Sequence, residues 1–359
     1  MEPELAPINV ADFERVAAER LHAGPLGYFA GGAGDEITLR ENVEAYRRWR
    51  LRYRVLVDVG ETTTATTVLG GEVSMPILVA PVAFQALAHP DGEAGMARAA
   101  AGAGTVMTLS TIASARPAEV AAAAPGGRRW YQLYCFRDRA VTDALVAEAV
   151  DSGYEAIVLT VDAPRAGKRE RDLRTGFTVP PEVNVPSVAA AVGGDKPIGI
   201  SEVFDLVDPT LTWADLERLA SNCDLPVLVK GIVRGDDAEL AVEHGAAGIV
   251  VSNHGGRQLD ASVATVDALA EVAEAVAGRC ELVVDGGIRR GTDVVVALAL
   301  GATAVQVGRP ALWGLTVDGE AGARRVLELL REELELALTL LGCRSPAEVT
   351  RDHVVRAST

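Results

Sequence analysis

Eight short apolar runs alternate with helix-like segments from residue 75 onward, and this alternation restricts the chain to very few folds. Runs that are apolar throughout, rather than at every second position, are typical of parallel strands buried on both faces. Eight strand–helix units predict a closed (β/α)8 barrel over residues 75–342 rather than an open sheet. The runs are Met75–Ala83, Val106–Thr111, Trp130–Phe136, Ala156–Asp162, Pro226–Gly231, Gly248–Asn253, Leu282–Gly287 and Ala304–Gly308.

Two segments lie outside this repeating pattern. Residues 1–50 have helical spacing around a glycine-rich turn that carries Tyr28, which predicts a helical cap over 1–74 in front of the barrel. About sixty residues separate the fourth run from the fifth, and a connection of that length on the catalytic side predicts a lid over 164–212. A disordered insertion is the alternative for its middle third. We expect one domain over 1–359.

Composition and charge exclude several classes of protein. Hydrophobic residues make up 49% of the 359 residues and charged residues 23%, so a large core is expected rather than disorder. The net charge of -16 argues against nucleic acid or an anionic membrane as a partner. No apolar run reaches the ~18 residues of a membrane span. Four widely spaced cysteines without a CxxC pair, and no signal segment, favour a cytoplasmic protein with free thiols.

The most informative stretch for chemistry is Gly248–Asp260, where a β-branched apolar run breaks at Ser252 into a polar loop with two glycines. His254 is the side chain there that can exchange a proton near neutral pH, and Arg257 offers a planar fork suited to a carboxylate. A base beside an anion clamp suggests an acidic substrate that is deprotonated where it is held. The alternative is a glycine turn with an incidental histidine.

Other polar residues end the predicted strands, which is where a barrel carries its chemistry. Asp162 is a carboxylate that could orient His254, as in other base–carboxylate pairs. Arg169 follows the fourth run and could act as a second anion clamp, although a solvated surface arginine is the alternative. The remaining polar strand ends are Ser110, Gln132, Tyr134, Thr160 and Lys230.

Two glycine clusters follow the seventh and eighth runs. They read Asp285-Gly286-Gly287-Ile288-Arg289-Arg290-Gly291 and Gly308-Arg309-Pro310. Barrels commonly hold a phosphate with backbone N–H groups of these two loops, so the clusters predict a phosphate-bearing cofactor or substrate. A barrel isomerase or lyase acting on a phosphorylated substrate, or a non-enzymatic ligand-binding barrel, would fit them too. No zinc spacing, P-loop or strand-borne GxGxxG supports a metal, nucleotide-hydrolysing or nicotinamide function.

The stretch Ser252-Asn253-His254-Gly255-Gly256-Arg257-Gln258-Leu259-Asp260 resembles the signature of the FMN-dependent 2-hydroxy acid oxidases and dehydrogenases. The resemblance extends in order over nearly the whole chain. Its further pieces are Tyr28 in its glycine turn, Ala80-Pro81-Val82-Ala83, Gln132-Leu133-Tyr134, Thr160-Val161-Asp162, Lys230-Gly231 and the two glycine clusters.

The resemblance implies oxidation of an (S)-2-hydroxy acid to a 2-oxo acid with bound FMN, often in a homotetramer. It assigns the role of base to His254, of its partner to Asp162, and of the substrate carboxylate clamp to Arg169 and Arg257. Tyr28 and Tyr134 match the two tyrosines around the substrate, and Lys230 matches the lysine beside the flavin ring. The other positions implied to bind FMN are Val82, Ala83, Ser110, Gln132, Thr160 and Ser252 near the ring, and Asp285, Gly286, Gly287, Arg289, Gly308 and Arg309 toward the phosphate.

Departures from the glycolate enzymes are concentrated in the substrate pocket. Val82 and Phe84 occupy positions where those enzymes have a threonine and a methionine, and Ile112 lies where they have a tryptophan. The expected result is a larger, more apolar pocket, similar to that of the hydroxymandelate oxidases. We expect an aromatic substrate such as mandelate or 4-hydroxymandelate, with oxygen as acceptor. Lactate, glycolate or a longer aliphatic acid, and a quinone or another acceptor, are the alternatives.

Overall fold

The amino-terminal segment begins with three helices, as expected, and continues through three short strands into the barrel. The computed structural model describes residues 6–180, 182–194 and 198–357. Tyr28 lies in the last turn of a helix rather than in the predicted glycine-rich turn, because that turn begins only at Gly31. The elements of this segment are α1 (Val10–Arg20), α2 (Ala23–Ala30), α3 (Ile37–Glu44), β1 (Trp49–Leu51), and a hairpin of β2 (Thr66–Val68) and β3 (Gly71–Val73).

Eight parallel strands close into a barrel, and each overlaps one of the predicted apolar runs. Sequence neighbours pair throughout, and the last strand closes the ring by pairing with the first. The strands are β4 (Ile77–Val79), β5 (Met107–Leu109), β6 (Arg129–Leu133), β7 (Ala156–Thr160), β8 (Val227–Ile232), β9 (Gly248–Val251), β10 (Glu281–Asp285) and β11 (Ala304–Val307). The predicted fold class is confirmed.

The alternation of side chains along each strand divides the apolar residues between two cores. One set fills the barrel interior, and its members are Leu78, Val106, Trp130, Ala156, Val158, Leu228, Val250, Val283 and Ala304. Val68 and Val73 of the β2–β3 hairpin join this cluster, and the backbone N–H of Leu69 donates to Glu281 at the start of β10. The hairpin therefore plugs the amino-terminal end of the barrel, and the opposite mouth carries the polar residues.

Helices surround the barrel and cover the outward-facing set of apolar residues. The helices that the structure describes after β4, including those of the long connection, are α4 (Gly92–Gly102), α5 (Pro117–Ala123), α6 (Arg139–Asp151), α7 (Glu170–Thr175), α8 (Pro186–Ala191), α9 (Ile200–Leu206), α10 (Trp213–Asn222), α11 (Gly235–Glu243), α12 (Thr265–Val276), α13 (Gly291–Ala299) and α14 (Arg309–Leu341). The last of these leaves helical geometry at Asp318 and Gly319. A final strand, β12 (Val354–Arg356), pairs antiparallel with β1 and ties the carboxyl-terminal segment to the segment that precedes the barrel.

The long connection between β7 and β8 is folded in its described parts. Helices α7, α8 and α9 lie within the predicted lid, whose residues 181 and 195–197 are outside the described residues. Its carboxyl-terminal end is tied to the segment that follows β6, because Asp208 N donates to Cys135 O and Arg137 N donates to Leu206 O, both at 2.9 Å. Helix α9 is therefore held at the rim of the barrel mouth.

The described chain contains neither a membrane helix nor a disulfide. None of its helices combines the length and the apolar character that crossing a bilayer requires. The four cysteines are all unpaired, in agreement with the free thiols expected from their spacing.

Candidate active site

One cavity at the carboxyl ends of the barrel strands collects most of the predicted site residues. Because the strands are parallel, all of these ends meet at the same mouth. The predicted residues that line the cavity are Tyr28, Val82, Ala83, Ser110, Ile112, Gln132, Tyr134, Thr160, Arg169, Lys230, His254, Arg257, Asp285, Gly286, Gly287, Arg289, Gly308 and Arg309. Asp162 and Ser252 lie directly behind this lining, where they bind His254.

His254 is fixed by a carboxylate and a hydroxyl. Its Nδ1 lies 2.8 Å from Asp162 Oδ1, and its backbone N–H donates to Ser252 Oγ at 3.0 Å. Burial opposes the charge on Asp162, but His254 and Lys230 outweigh it and lower the pKa of that carboxyl. An ionised Asp162 places the imidazole proton on Nδ1, which leaves the Nε2 lone pair available to accept a proton.

Lys230 is a buried cation held between two oxygens. Its Nζ donates to Ser252 Oγ at 2.7 Å and lies 3.0 Å from Asp285 Oδ2. Burial alone would lower the pKa of Lys230, but Asp285 and Asp162 raise it overall, so the ammonium stays charged. Asp285 Oδ1 and Gln306 Oε1 are buried without a partner among the described residues, and both residues line the cavity. Buried polar atoms of this kind point to a polar ligand.

Gln132 organises a polar wall. Its Oε1 accepts hydrogen bonds from Ser110 Oγ and Thr111 N, each at 3.1 Å, and its Nε2 donates to Thr160 Oγ1 at 3.0 Å. The three strands β5, β6 and β7 thus present one connected hydrogen-bonded surface to the cavity.

Two arginines flank the ring of Tyr28. The guanidinium carbons of Arg257 and Arg169 lie 4.9 Å and 5.4 Å from the ring centroid. Arg169 Nε is 3.0 Å from Asp172 Oδ2, and Arg257 Nη1 donates to the carbonyls of Tyr28 and Gly31. Burial and the charge of Arg169 lower the pKa of Arg257 to about 10. Two guanidinium groups that both lie beside the Tyr28 ring and line the same cavity favour a bound anion there.

A second cationic region lies where the glycine clusters meet. Burial, together with the charges of Arg257 and Arg289, lowers the pKa of Arg309 to about 9. Neither Arg289 nor Arg309 forms an ion pair with a carboxylate in the described part of the chain. Gly287 has φ 87°, and a Cβ there would come within 1.9 Å of Asn42 O, so glycine is required.

The apolar side of the cavity differs from the expectation in one residue. Phe84 is fully buried and does not line the cavity; its ring packs against Tyr28 with centroids 6.2 Å apart. Phe204 of α9 lines the cavity instead, as Ile112 does, and its ring centroid lies 5.9 Å from that of Tyr134. Neither Phe204 nor Gln306 was predicted, because no periodicity in the sequence indicates that α9 reaches the mouth or that β11 carries a polar residue inward.

The residues present fit a phosphate-bearing cofactor such as FMN. Arg289, Arg309, Gly287 and the amino-terminal end of α14 offer cationic and N–H donors for a phosphate. Lys230, Gln132 and the unpartnered atoms of Asp285 and Gln306 offer hydrogen-bonding groups deeper in the same cavity. The groups at the Tyr28 end remain available for a small acidic molecule.

Comparisons with known proteins agree with this geometry. The family model described as FMN-dependent dehydrogenase matches residues 17–356. The chain is 49% identical over 347 residues to an L-lactate oxidase of Nostoc sp., covering 94% of this chain and 95% of that protein. It is 49% identical over 351 residues to glycolate oxidase 3 of Arabidopsis thaliana, covering 96% and 95%.

Solved structures of mandelate oxidase have the same fold. One with (S)-2-phenylpropionate superposes with a TM-score of 0.90 at 43% identity, covering 99% of this chain and 100% of that chain. A variant with (S)-mandelic acid gives 0.89 at 44% identity, covering 96% and 98%. The chain therefore belongs to the FMN-dependent dehydrogenase family.

Proposed function

We propose that the chain oxidises (S)-2-hydroxy acids to 2-oxo acids, prefers an aromatic acid such as mandelate or 4-hydroxymandelate, and passes the electrons to oxygen to give hydrogen peroxide. The observation that carries the proposal is the His254–Asp162 pair, which faces the same cavity as two guanidinium groups. A phosphorylated-substrate isomerase would need the glycine clusters but not this combination.

Each residue has a defined task in this reaction. Arg169 and Arg257 bind the substrate carboxylate, and Tyr28 and Tyr134 border the bound acid. Bound FMN would accept the two electrons that leave the substrate, together with the second of the two hydrogens that the oxidation removes. His254 Nε2 accepts a proton from the substrate, and Asp162 stabilises the imidazolium that forms.

Lys230 supports the same reaction through its charge. Its ammonium group lies in the polar part of the cavity that fits the flavin ring, paired with Asp285. A buried positive charge there stabilises added negative charge as electrons arrive. Val82, Ala83 and the Gln132 wall would contact the ring, and Arg289, Gly308 and Arg309 would hold the phosphate.

An aromatic substrate is supported by the apolar lining. Ile112 is smaller than a tryptophan, and Phe204 and the buried ring of Tyr134 add aromatic surface beside it. A phenyl group that buries on the order of 100 Å² at about 25 cal/mol per Å² would gain roughly 2–3 kcal/mol over a methyl group. The gain raises kcat/KM only if it is retained in the transition state.

The connection over 164–212 is proposed to act as a lid. It supplies Arg169 and Phe204 to the cavity, and Phe177 packs against Tyr28 with ring centroids 5.9 Å apart. Covering the mouth with these residues would exclude water from the reacting groups. Oxygen as acceptor is supported by the relatives, which are named as oxidases.

A homo-oligomer is proposed from an exposed apolar patch formed by Tyr53, Val55, Leu56, Leu336 and Leu340. Their exposed fractions run from 59% to 104%, and Arg54 N donates to Leu341 O, which joins the two segments. Apolar patches of this kind commonly mark protein interfaces.

Light scattering should give a multiple of 37.6 kDa, and Leu340→Glu should lower the mass. A monomeric mass for the unaltered chain would exclude the proposal.

His254→Gln is expected to lower the rate of flavin reduction by roughly 10²-fold or more, because the base that accepts the substrate proton is lost. FMN should remain bound, since the His254 imidazole is held by Asp162 and forms no bond with Arg289 or Arg309 in the described part of the chain. Anaerobic stopped-flow absorbance measures the rate, and the FMN-to-protein ratio measures retention. His244→Gln, directly after the outer helix α11, is the control and should change neither. Near-normal reduction in His254→Gln would remove this residue from the reaction.

Arginine-to-lysine changes should separate the two cationic regions. Arg257→Lys is expected to raise KM with FMN retained, since lysine lacks the paired donors that a carboxylate accepts. Arg309→Lys is expected to weaken FMN retention instead. Dialysis followed by flavin absorbance, and KM for (S)-mandelate, distinguish these effects. Arg171→Lys, an exposed arginine paired with Glu36, serves as control. Loss of FMN from Arg257→Lys at unchanged KM would reverse the two assignments.

(S)-Mandelate is expected to exceed L-lactate and glycolate in kcat/KM by roughly 30- to 150-fold, the factor that corresponds to 2–3 kcal/mol. The measurement is flavin bleaching under anaerobic conditions with each acid, followed by admission of air and detection of hydrogen peroxide. Ile112→Trp should abolish the preference by filling the space, whereas Ile112→Val should keep it. A preference for glycolate, lactate or a long aliphatic acid would contradict the aromatic assignment.

A further inference from the structure

Glu93 is a buried carboxylate outside the cavity that the reaction does not use. It lies in the first turn of α4 and is 1% exposed. Its Oε1 accepts hydrogen bonds from Gln85 N at 3.1 Å and Ser114 N at 2.9 Å, and its Oε2 accepts from Ser114 Oγ. It forms no ion pair in the described part of the chain. Burying a carboxylate without a neighbouring cation costs folding free energy, and its hydrogen bonds must offset that cost.

The three donors belong to the two loops that form one wall of the cavity. The loop after β4, residues 80–88, carries Val82 and Ala83, and the loop after β5, residues 110–116, carries Ser110 and Ile112. A backbone bond from Phe84 N to Ile112 O, at 3.2 Å, joins the loops near the cavity. Glu93 joins them again on the outer side, beside a longer direct bond from Ala86 N to Ser114 Oγ at 3.3 Å. The spacing of the wall therefore depends on the inner bond and on this outer cluster.

Phe84 makes the outer link necessary. It has φ 53°, a left-handed conformation that a bulky residue adopts only when its surroundings hold it there. Glu93 binds the N–H of the next residue, Gln85, and Phe84 N binds Ile112, so the strained residue is fixed from both sides. The Phe84 ring in turn supports Tyr28, whose own ring is flanked by the arginines.

We infer that Glu93 is a positioning residue that holds the two loops together and thereby determines which substrate side chains the cavity accepts. The inference rests on the proposed function for the class of substrate, whereas the contacts of Glu93 with the two loops do not depend on it. Removing the carboxylate leaves two buried N–H groups without an acceptor, and the wall near Ile112 loosens. Bulky side chains that pack against this wall lose more binding than small ones.

The test compares Glu93→Ala with Glu93→Gln in the FMN-loaded protein. Dissociation constants for phenylacetate and acetate, which are carboxylates without a 2-hydroxyl group, are read from the flavin absorbance. Glu93→Ala should reduce the preference for phenylacetate about tenfold, as expected for an unsatisfied buried donor. It should also raise hydrogen exchange in 82–88 and 111–116 but not in 285–291. Glu93→Gln keeps one acceptor oxygen and gains a donor toward Ser114 Oγ, so it should restore both readouts.

Glu119→Ala is the matched control, because Glu119 accepts from Arg116 N in the same region but faces solvent. It should leave the preference unchanged. A lower Tm for Glu93→Ala with unchanged preference and unchanged loop exchange would reduce Glu93 to a stabilising residue and overturn the inference. Equal losses of affinity for phenylacetate and for acetate in Glu93→Ala would also overturn it. These readouts do not require turnover, so failure of the proposed oxidation is recognised separately, by the absence of flavin reduction.

Discussion

The interaction on which the site depends is the binding of two guanidinium groups to the carbonyl end of helix α2. Arg257 donates to the carbonyls of Tyr28 and Gly31, and Arg309 donates to those of Phe29 and Gly31. The last carbonyls of a helix lack partners within it and carry partial negative charge, so cations there are favourable. One contact thus joins the N-terminal helices, the loop after β9 and the start of α14. It also brings Tyr28 beside Arg257.

The same arrangement explains how an acidic chain holds an anion. The net charge is -16, yet Arg169, Arg257, Arg289 and Arg309 all line one cavity. Burial and mutual repulsion lower the pKa values of Arg257 and Arg309, which means that the protein holds these cations at a cost. Carbonyl oxygens reduce that cost without neutralising the charge. A bound anion therefore reduces the repulsion between these arginines. Without the anion, a carboxylate of the protein would be needed for that purpose.

The sequence predicted the barrel and most of the cavity because both follow from local patterns. Uniform apolar runs indicate buried parallel strands, and the polar residue at the end of each run lies at the mouth by geometry. Phe204, Gln306 and the position of Phe84 could not be predicted in this way. Phe204 reaches the cavity through tertiary bonds between residues 206–208 and 135–137, and Phe84 turns away because of one left-handed residue. Neither feature has a periodic signal.

Two residues near the cavity, His254 and Phe84, have left-handed backbone conformations, and a side-chain acceptor stabilises each of them. His254 has φ 59° and Phe84 has φ 53°, and neither is a glycine. Each such residue costs on the order of 1–3 kcal/mol and persists where side chains over-determine its position. Ser252 Oγ accepts the N–H of His254, while Glu93 accepts the N–H that follows Phe84. Because Ser252 Oγ also accepts from Lys230, the backbone conformation of His254 is coupled to the buried ammonium. A substitution at Lys230 would therefore alter the orientation of His254 as well as the local charge.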